Sequence, residues 1–132
     1  MIETATLQHI TWECLHFITP DEEPVARAGL EERGIAVFEA CGVAIKNADD
    51  LLDTLAQAMQ FPEYFGRNWD ALDECLRDMS WLPARGYVLF LHDARRLWQQ
   101  ASDVAGQFVE TWLFTAEEWS RSGIPFHLVF VW

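Results

Sequence analysis

Three acidic residues in the middle of the chain have the spacing of one helix face. Asp70, Glu74 and Asp78 stand at i, i+4 and i+8 of a predicted helix, so their carboxylates share a stripe. Asp73 and Arg77 have the spacing of an i,i+4 ion pair, which leaves that stripe without a neutralising partner. Like charges at this spacing cost about 0.2–0.5 kcal/mol each, and the helix dipole offsets this only near the helix start. Such a stripe predicts a surface that binds cationic groups of a partner.

The loop before this helix adds aromatic residues beside the acids. In the segment FPEYFG, Pro62 restricts one backbone angle and Gly66 permits a left-handed turn, with Tyr64 and Phe65 between them. A stiff loop with rings next to unpaired carboxylates is typical of a protein-binding hot spot. Tyr64, with its polar hydroxyl, is the better candidate for exposure. For Phe65 two interpretations stand: a contact residue of the binding surface, or a ring packed into the core.

An enzyme could use the same acids, and that alternative has a different signature. Asp70 and Glu74 would then form the acid–base pair of a small α/β hydrolase or transferase, which requires a deep pocket that raises the pKa of one carboxyl. The sequence contains no GxGxxG, Walker, GxSxG or HExxH motif. The four histidines lack paired metal-ligand spacing and are interpreted as structural: His9, His16, His92 and His127. We therefore predict a binding protein rather than an enzyme, without a metal site.

Composition and charge restrict the class of partner. The 132 residues are 51% apolar and include 7 Trp and 9 Phe, enough for one domain with a core and a surplus of aromatic surface. The formal net charge of -12 argues against direct binding of nucleic acid or of an anionic membrane, because phosphates would be repelled. The charge favours a basic protein partner, or it serves solubility alone.

The cysteines and the N-terminal residues indicate a cellular compartment. The chain has three cysteines, Cys14, Cys41 and Cys75, without CxxC spacing. Because an odd number cannot all pair within one chain, we predict reduced thiols. The first residues do not resemble a signal peptide, and no apolar run approaches the roughly 20 residues of a membrane span. We expect a soluble, cytoplasmic protein, and the sequence leaves its oligomeric state open.

Strands and helices are predicted to alternate along the chain. The predicted strands are Thr11–Ile18, Ile35–Ala40, Gly86–Asp93 and the C-terminal segment PFHLVFVW. The predicted helices lie over 21–34, after the N-caps Asn47 and Asn68, over the segment ARRLWQQA, and along a stripe after Ser102 that includes Trp112, Leu113 and Trp119. Strands separated by helices form a parallel sheet with right-handed crossovers. We predict one α/β domain over 1–132, with three parallel strands in 35–132. The N-terminal extension, 1–34, adds a fourth strand, covers a sheet edge or enlarges the binding surface.

The segment with the loop and the acids resembles a family signature. Residues Phe61–Leu72, FPEYFGRNWDAL, followed by Cys75 and Leu76, are similar to the signature of barstar-type ribonuclease inhibitors. In that signature an apolar residue, Pro, an acid, two aromatics and Gly precede Asn, an apolar residue, Asp-Ala-Leu and then Cys-Leu. The order of predicted elements also agrees with the family over residues 35–132. The resemblance implies a small barstar-like layered α/β fold.

The resemblance also implies a function and a set of binding residues. Barstar-like proteins bind a basic ribonuclease in the cytoplasm and fill its active site with carboxylates that take the place of RNA phosphates, without covalent chemistry or a cofactor. Matched by position, Asp70 and Glu74 are the central acids, and Tyr64 packs near the catalytic histidine of the nuclease. Asn68 caps the helix and lines the contact. Glu118 corresponds, by spacing alone, to a further contacting acid.

The sequence departs from the best-known family member at several binding positions. Phe65 stands where that member has a second Tyr, and Trp69 replaces a smaller apolar residue. Asp73 stands at the position of a Trp, which exchanges an aromatic contact for a charge. Glu74 replaces an Asp and extends the carboxylate outward by about one methylene. These differences imply a partner that is either a different microbial ribonuclease or another basic toxin, bound by an immunity module with the same face.

Overall fold

Helices alternate with strands throughout the part of the chain that the computed structural model describes, residues 4–10 and 13–132. The strands are β1 (Leu15–Ile18), β2 (Ile35–Cys41), β3 (Gly86–His92) and β4 (Phe126–Val131). The α-helices are α1 (Thr4–Leu7), α2 (Glu23–Arg27), α3 (Ala48–Ala58), α4 (Trp69–Asp78), α5 (Ala94–Gln100) and α6 (Ser102–Arg121), and 3₁₀ helices cover Pro20–Glu22 and Glu31–Arg33. Within these residues, no helix has the length and apolar character that crossing a membrane requires.

The strands form one parallel sheet with the order β1-β4-β3-β2. Tyr87 on the inner strand β3 lies beside Ala36 on β2 and beside Phe126 on β4. β1 runs along the outer side of β4, with Leu15 opposite Leu128. The predicted α/β class is therefore confirmed. Residues 35–132 supply three parallel strands, and the N-terminal extension adds a fourth.

Different parts of the chain cover the two faces of the sheet. Leu128 and Phe130 of β4 pack in the core beneath α3, α4, α5 and α6, whereas Val129 and Val131 lie in a second core on the opposite face. The N-terminal extension contributes fully buried side chains to that second core: Leu7, Ala26 and Leu30. The extension thus shields apolar strand residues that would otherwise face water.

The predicted helix over 21–34 is wrong, because the segment forms three short pieces. Ala28 leaves the helical region with a ψ of 127°, and Gly29 has a φ of 76°, a left-handed value that ends regular helix. Gly34, with a φ of 83°, stops the last piece. The N-terminal strand begins at Leu15 instead of Thr11. The predicted residues Thr11 and Trp12 lie outside the described residues.

One residue of the predicted stripe on the long helix is exposed to solvent. Leu113 is 42% exposed, whereas Thr115 is fully buried. The face of α6 that meets the sheet runs through Phe108, Trp112 and Thr115, so Leu113 falls outside its width. The Thr115 hydroxyl donates to the Thr111 carbonyl at 2.9 Å, which satisfies the buried polar group without a partner on another element.

Two histidines join the N-terminal extension to the sheet. The Nε2 of His16 on β1 lies 3.0 Å from the Nδ1 of His127 on β4. The Nε2 of His127 lies 2.9 Å from the carbonyl oxygen of His9. Burial, followed by the repulsion of His127, lowers the pKa of His16 to about 4. Burial also lowers the pKa of His127, although the bond to His9 counteracts this. These histidines are structural, as predicted.

Candidate protein-binding site

Asn68 fixes the loop to the helix that carries the acids. Its Oδ1 accepts a hydrogen bond from the Ala71 amide at 2.8 Å, and its extended backbone, with a φ of -143°, begins α4 at the next residue. Its Nδ2 donates to the Gly66 carbonyl at 3.4 Å. The Phe65 amide donates to the Pro62 carbonyl at 3.0 Å, which closes a turn across the loop. The predicted N-cap is therefore confirmed, and it holds the loop against the first turn of the helix.

The two loop aromatics point in different directions. Tyr64 is 72% exposed. The ring of Phe65 is half-buried and meets Phe61 edge-on at a centroid distance of 5.0 Å. Phe61 in turn meets Trp81 at 5.8 Å, and the Trp81 Nε1 donates to the Met59 carbonyl at 3.2 Å. Phe65 is therefore anchored to the core and supports the loop, while Tyr64 presents its ring to solvent.

A groove of about 490 Å³ lies between this loop and α4. Its lining consists of Tyr64, Phe65, Gly66, Asn68, Asp70, Ala71, Glu74, Cys75 and Asp78. Asp70, Glu74 and Asp78 are all exposed to solvent, so the predicted stripe forms one wall of the groove. Among the described residues, no arginine or lysine forms an ion pair with any of these three carboxylates. The basic residue of the loop, Arg67, pairs instead with Asp53 on α3.

The carboxylates make the groove strongly negative. The pKa of Tyr64 is raised by partial desolvation of its hydroxyl and by the charge of Asp78. The pKa of the Cys75 thiol is raised by burial and then by the charges of Asp78 and Glu74. Cys75 is therefore a protonated, buried thiol, unlike a nucleophilic cysteine. A cation in this groove would meet three uncompensated charges and an adjacent exposed ring.

Two of the predicted binding residues lie beside the groove in an ion-pair network. The Nε of Arg77 donates to both carboxylate oxygens of Asp73 at 3.0 Å. The same guanidinium reaches Glu118 on α6, with Nη1 and Oε1 3.2 Å apart. Glu118 also lies 3.6 Å from the Nη1 of Arg121. The predicted pair of Asp73 and Arg77 is confirmed, and it extends to Glu118 across the α4–α6 junction.

The structure thus divides the predicted site residues into two groups. Tyr64, Phe65, Asn68, Asp70 and Glu74 line one groove, whereas Asp73 and Glu118 share the network around Arg77. Asp78 belongs to the groove, although the family signature does not extend to it. Its i+8 position on the stripe of Asp70 is the signal that predicts its place in the groove.

A second cluster of polar side chains lies at the carboxyl ends of β2 and β3. Glu23, Glu39 and His92 offer ligand atoms within 4.8 Å of one another, although they are remote in sequence. The Nη1 of Arg27 lies 3.0 Å from Glu23 and 2.8 Å from Glu39. The guanidinium therefore fills the space between the two carboxylates and supplies the charge that a metal ion would bring.

The geometry can now be compared with known proteins. The family model described as Barstar (barnase inhibitor) matches residues 35–131. The chain belongs to the barstar family. The match begins at the first residue of β2, ends at the last residue of β4, and includes the groove and the Arg77 network. The N-terminal extension that forms β1 and the second core lies outside the match. No curated protein matches the chain.

Proposed function

We propose that this protein inhibits a basic ribonuclease by inserting the acidic wall of α4 into the nuclease active site. One observation carries the proposal: Asp70, Glu74 and Asp78 form an unpaired row of carboxylates beside the exposed ring of Tyr64, within the region that matches the barstar family. The active site of a ribonuclease binds the phosphates of RNA with cationic side chains. A row of carboxylates on one rigid helix offers those cationic side chains negative charges in place of the RNA phosphates.

The proposed interface has a centre and a margin. Asp70 and Glu74 form the centre with Tyr64 as the aromatic anchor, and Asn68 and Phe65 hold the loop in position. Asp73 and Glu118 stand at the margin of the interface. These residues bind the nuclease and occlude its active site. The inhibition requires no covalent step and no cofactor. Pre-organisation by the N-cap reduces the entropy that the loop would otherwise lose on binding.

The charge of the whole protein supports the same proposal. The net charge of -12 creates a negative field that speeds encounter with a basic partner and repels RNA itself. The three cysteines are free thiols, which suits a protein that acts in the reducing cytoplasm. Association should slow as the salt concentration rises, because exposed charges are screened over about 10 Å at 0.1 M salt. An association rate independent of salt would mean that the charge serves solubility alone.

A second candidate is an immunity protein for a basic toxin other than a ribonuclease. The pairing of Asp73 with Arg77 favours it, because the face then presents an ion pair where the best-known family member presents a Trp. Catalysis by Asp70 and Glu74 is less well supported. Both residues are exposed to solvent, and none of the described residues that line the groove is a histidine.

The experiment compares two variants that each remove one negative charge. Asp70→Asn changes the centre of the proposed interface, and Glu110→Gln changes an exposed carboxylate elsewhere, on α6. Calorimetric titration against barnase and other basic microbial ribonucleases should identify a partner whose activity the protein inhibits. Asp70→Asn should weaken that binding by about 30-fold or more, the effect of breaking a buried charge pair. Glu110→Gln should change it little. Equal affinities of the two variants would refute the site, and a lack of inhibition across the panel would favour a toxin of another kind.

A further inference from the structure

Arg77, at the junction of α4 and α6, marks the edge of the acidic binding face. Arg77 contacts Asp73 and Glu118 at once, and its side chain is 38% exposed beside the groove. On the groove side of this boundary stand Asp70, Glu74 and Asp78, with no cation paired to them among the described residues. On the α6 side, every acid of the network is in contact with an arginine. The negative charge that a partner meets is therefore concentrated in the groove.

The position of Arg77 is held by the packing of the two helices. The Nε1 of Trp119 on α6 donates to the Leu76 carbonyl on α4 at 2.8 Å, one residue before Arg77. The ring of Trp119 stacks on Phe126 with centroids 5.9 Å apart, which ties this junction to the sheet. Because Arg77 has acids on both helices, releasing it toward a partner would break contacts on both sides at once. Its charge is a fixed feature of the face.

We infer that Arg77 is a specificity-determining residue that withholds the carboxylates of Asp73 and Glu118 from a basic partner. The inference deepens the proposed function and rests on it for the class of partner. A partner cation that approached either carboxylate would have to displace Arg77 and would meet its like charge. A partner whose basic residues form one compact cluster opposite the groove fits this face. A partner with basic residues opposite α6 as well does not fit this face, because those residues would meet the like charge of Arg77.

If Arg77 has this role, removing its positive charge should strengthen the binding of a cationic probe to this face. Arg77→Gln should free Asp73, leave Glu118 in contact with Arg121 alone, and extend the acidic surface toward α6. The probe is hexalysine, because it reports the distribution of charge without requiring the natural partner. In low salt, Arg77→Gln should bind hexalysine about two- to fivefold more tightly than wild type, the range expected for exposed charge pairs. Amide shifts in NMR spectra should spread from the groove to the surroundings of Glu118.

Two controls separate this local effect from the change in net charge. Arg96→Gln removes an exposed arginine on α5 and changes the net charge equally, so its gain in affinity should be smaller. Adding Asp73→Asn and Glu118→Gln to Arg77→Gln should abolish the gain, because the released carboxylates are then absent. Equal affinities of Arg77→Gln and Arg96→Gln would overturn the inference. A gain that persists in the triple variant would overturn it as well. Circular dichroism of each variant verifies that the fold is retained.

The same variants distinguish this inference from the proposed function. If Asp70→Asn loses ribonuclease binding while Arg77→Gln behaves as Arg96→Gln toward hexalysine, the inhibitor function stands and the role of Arg77 is refuted. If no ribonuclease binds while hexalysine separates Arg77→Gln from Arg96→Gln, the charge boundary stands and the partner class is refuted.

Discussion

Acidification should weaken the attachment of the N-terminal extension through the pair His16 and His127. The carbonyl of His9 can only accept a hydrogen bond, so the Nε2 of His127 is the donor of that bond. In neutral His127 the Nδ1 is then an acceptor, and the Nε2 of His16 donates to it. A second proton on His127 would set two donors against each other at 3.0 Å. This bonding disfavours a charged His127, and burial disfavours a charge on either ring.

The pKa of His16 sets the size and the direction of the effect. This residue is 8% exposed in the fold, where its pKa is about 4, against an ordinary value of 6.5. Between these two values the unfolded chain binds more protons than the folded chain, so stability falls as the pH falls. For this single group the free energy of unfolding should drop by about 2 kcal/mol between pH 7 and pH 5. The lowered pKa of His127 acts in the same direction. Carboxyls with lowered pKa values, such as that of Glu39 bound to Arg27, lose their contribution only at lower pH.

Urea unfolding followed by tryptophan fluorescence at pH 7, 6 and 5 measures this loss. His16→Gln keeps an amide donor for His127 but removes the titrating group, so it should flatten most of the pH dependence. His9→Ala is the matched control, because the exposed imidazole is lost while the backbone carbonyl that binds His127 remains. The reasoning would be refuted by equal stability of the wild type at pH 5 and pH 7, or by a His16→Gln variant that retains the full dependence.

Substitutions at helix caps and at glycines test the framework around the site. Alanine at Asn47 or at Asn68 should each lower the free energy of unfolding in urea by about 1 kcal/mol, because each side chain caps a helix. Only Asn68→Ala should also weaken partner binding in calorimetry, and equal binding losses would contradict the loop assignment. Gly42→Ala should destabilise the protein by about 1–3 kcal/mol, since an added Cβ would lie 2.8 Å from the Asp93 carbonyl oxygen. Gly106→Ala, with no atom within 4 Å of the added Cβ in the interior of α6, should stabilise it by about 0.5–1 kcal/mol. In thermal unfolding Gly42→Ala should melt at a lower temperature than Gly106→Ala. The opposite order would contradict the packing at the end of β2.

The N-terminal extension distinguishes this chain from the part that matches the family. It provides an edge strand and the cover of a second core, which lies on the opposite face of the sheet from the core that α4 joins. The binding loop and the acids are held instead by the first core, through Phe65, Leu72 and Leu76. We therefore expect loss of the extension to affect the stability of the sheet more directly than the geometry of the groove.

The sequence by itself determined the strands and helices of residues 35–132 and the stripe of acids. Asn47 and Asn68 were recognisable as caps because a cap bonds to an amide three residues away, and that distance is independent of the rest of the fold. The positions of Asp70, Glu74 and Asp78 on one face follow from the helix period alone. The buried strands were recognisable from continuous apolar runs. The signature from Phe61 to Leu76 then predicted the family, which the match over 35–131 confirmed.

Only the tertiary structure decided which distant residues meet. The bond between His16 and His127 joins positions 111 residues apart, and it depends on the register of β1 against β4. The contact between Arg77 and Glu118 likewise depends on how α4 packs against α6. Local patterns extend over about one helical turn or one strand, whereas these contacts arise from the order of strands and the crossing of helices. For that reason the acids of the site could be predicted from the sequence, but the cation that bounds them could not.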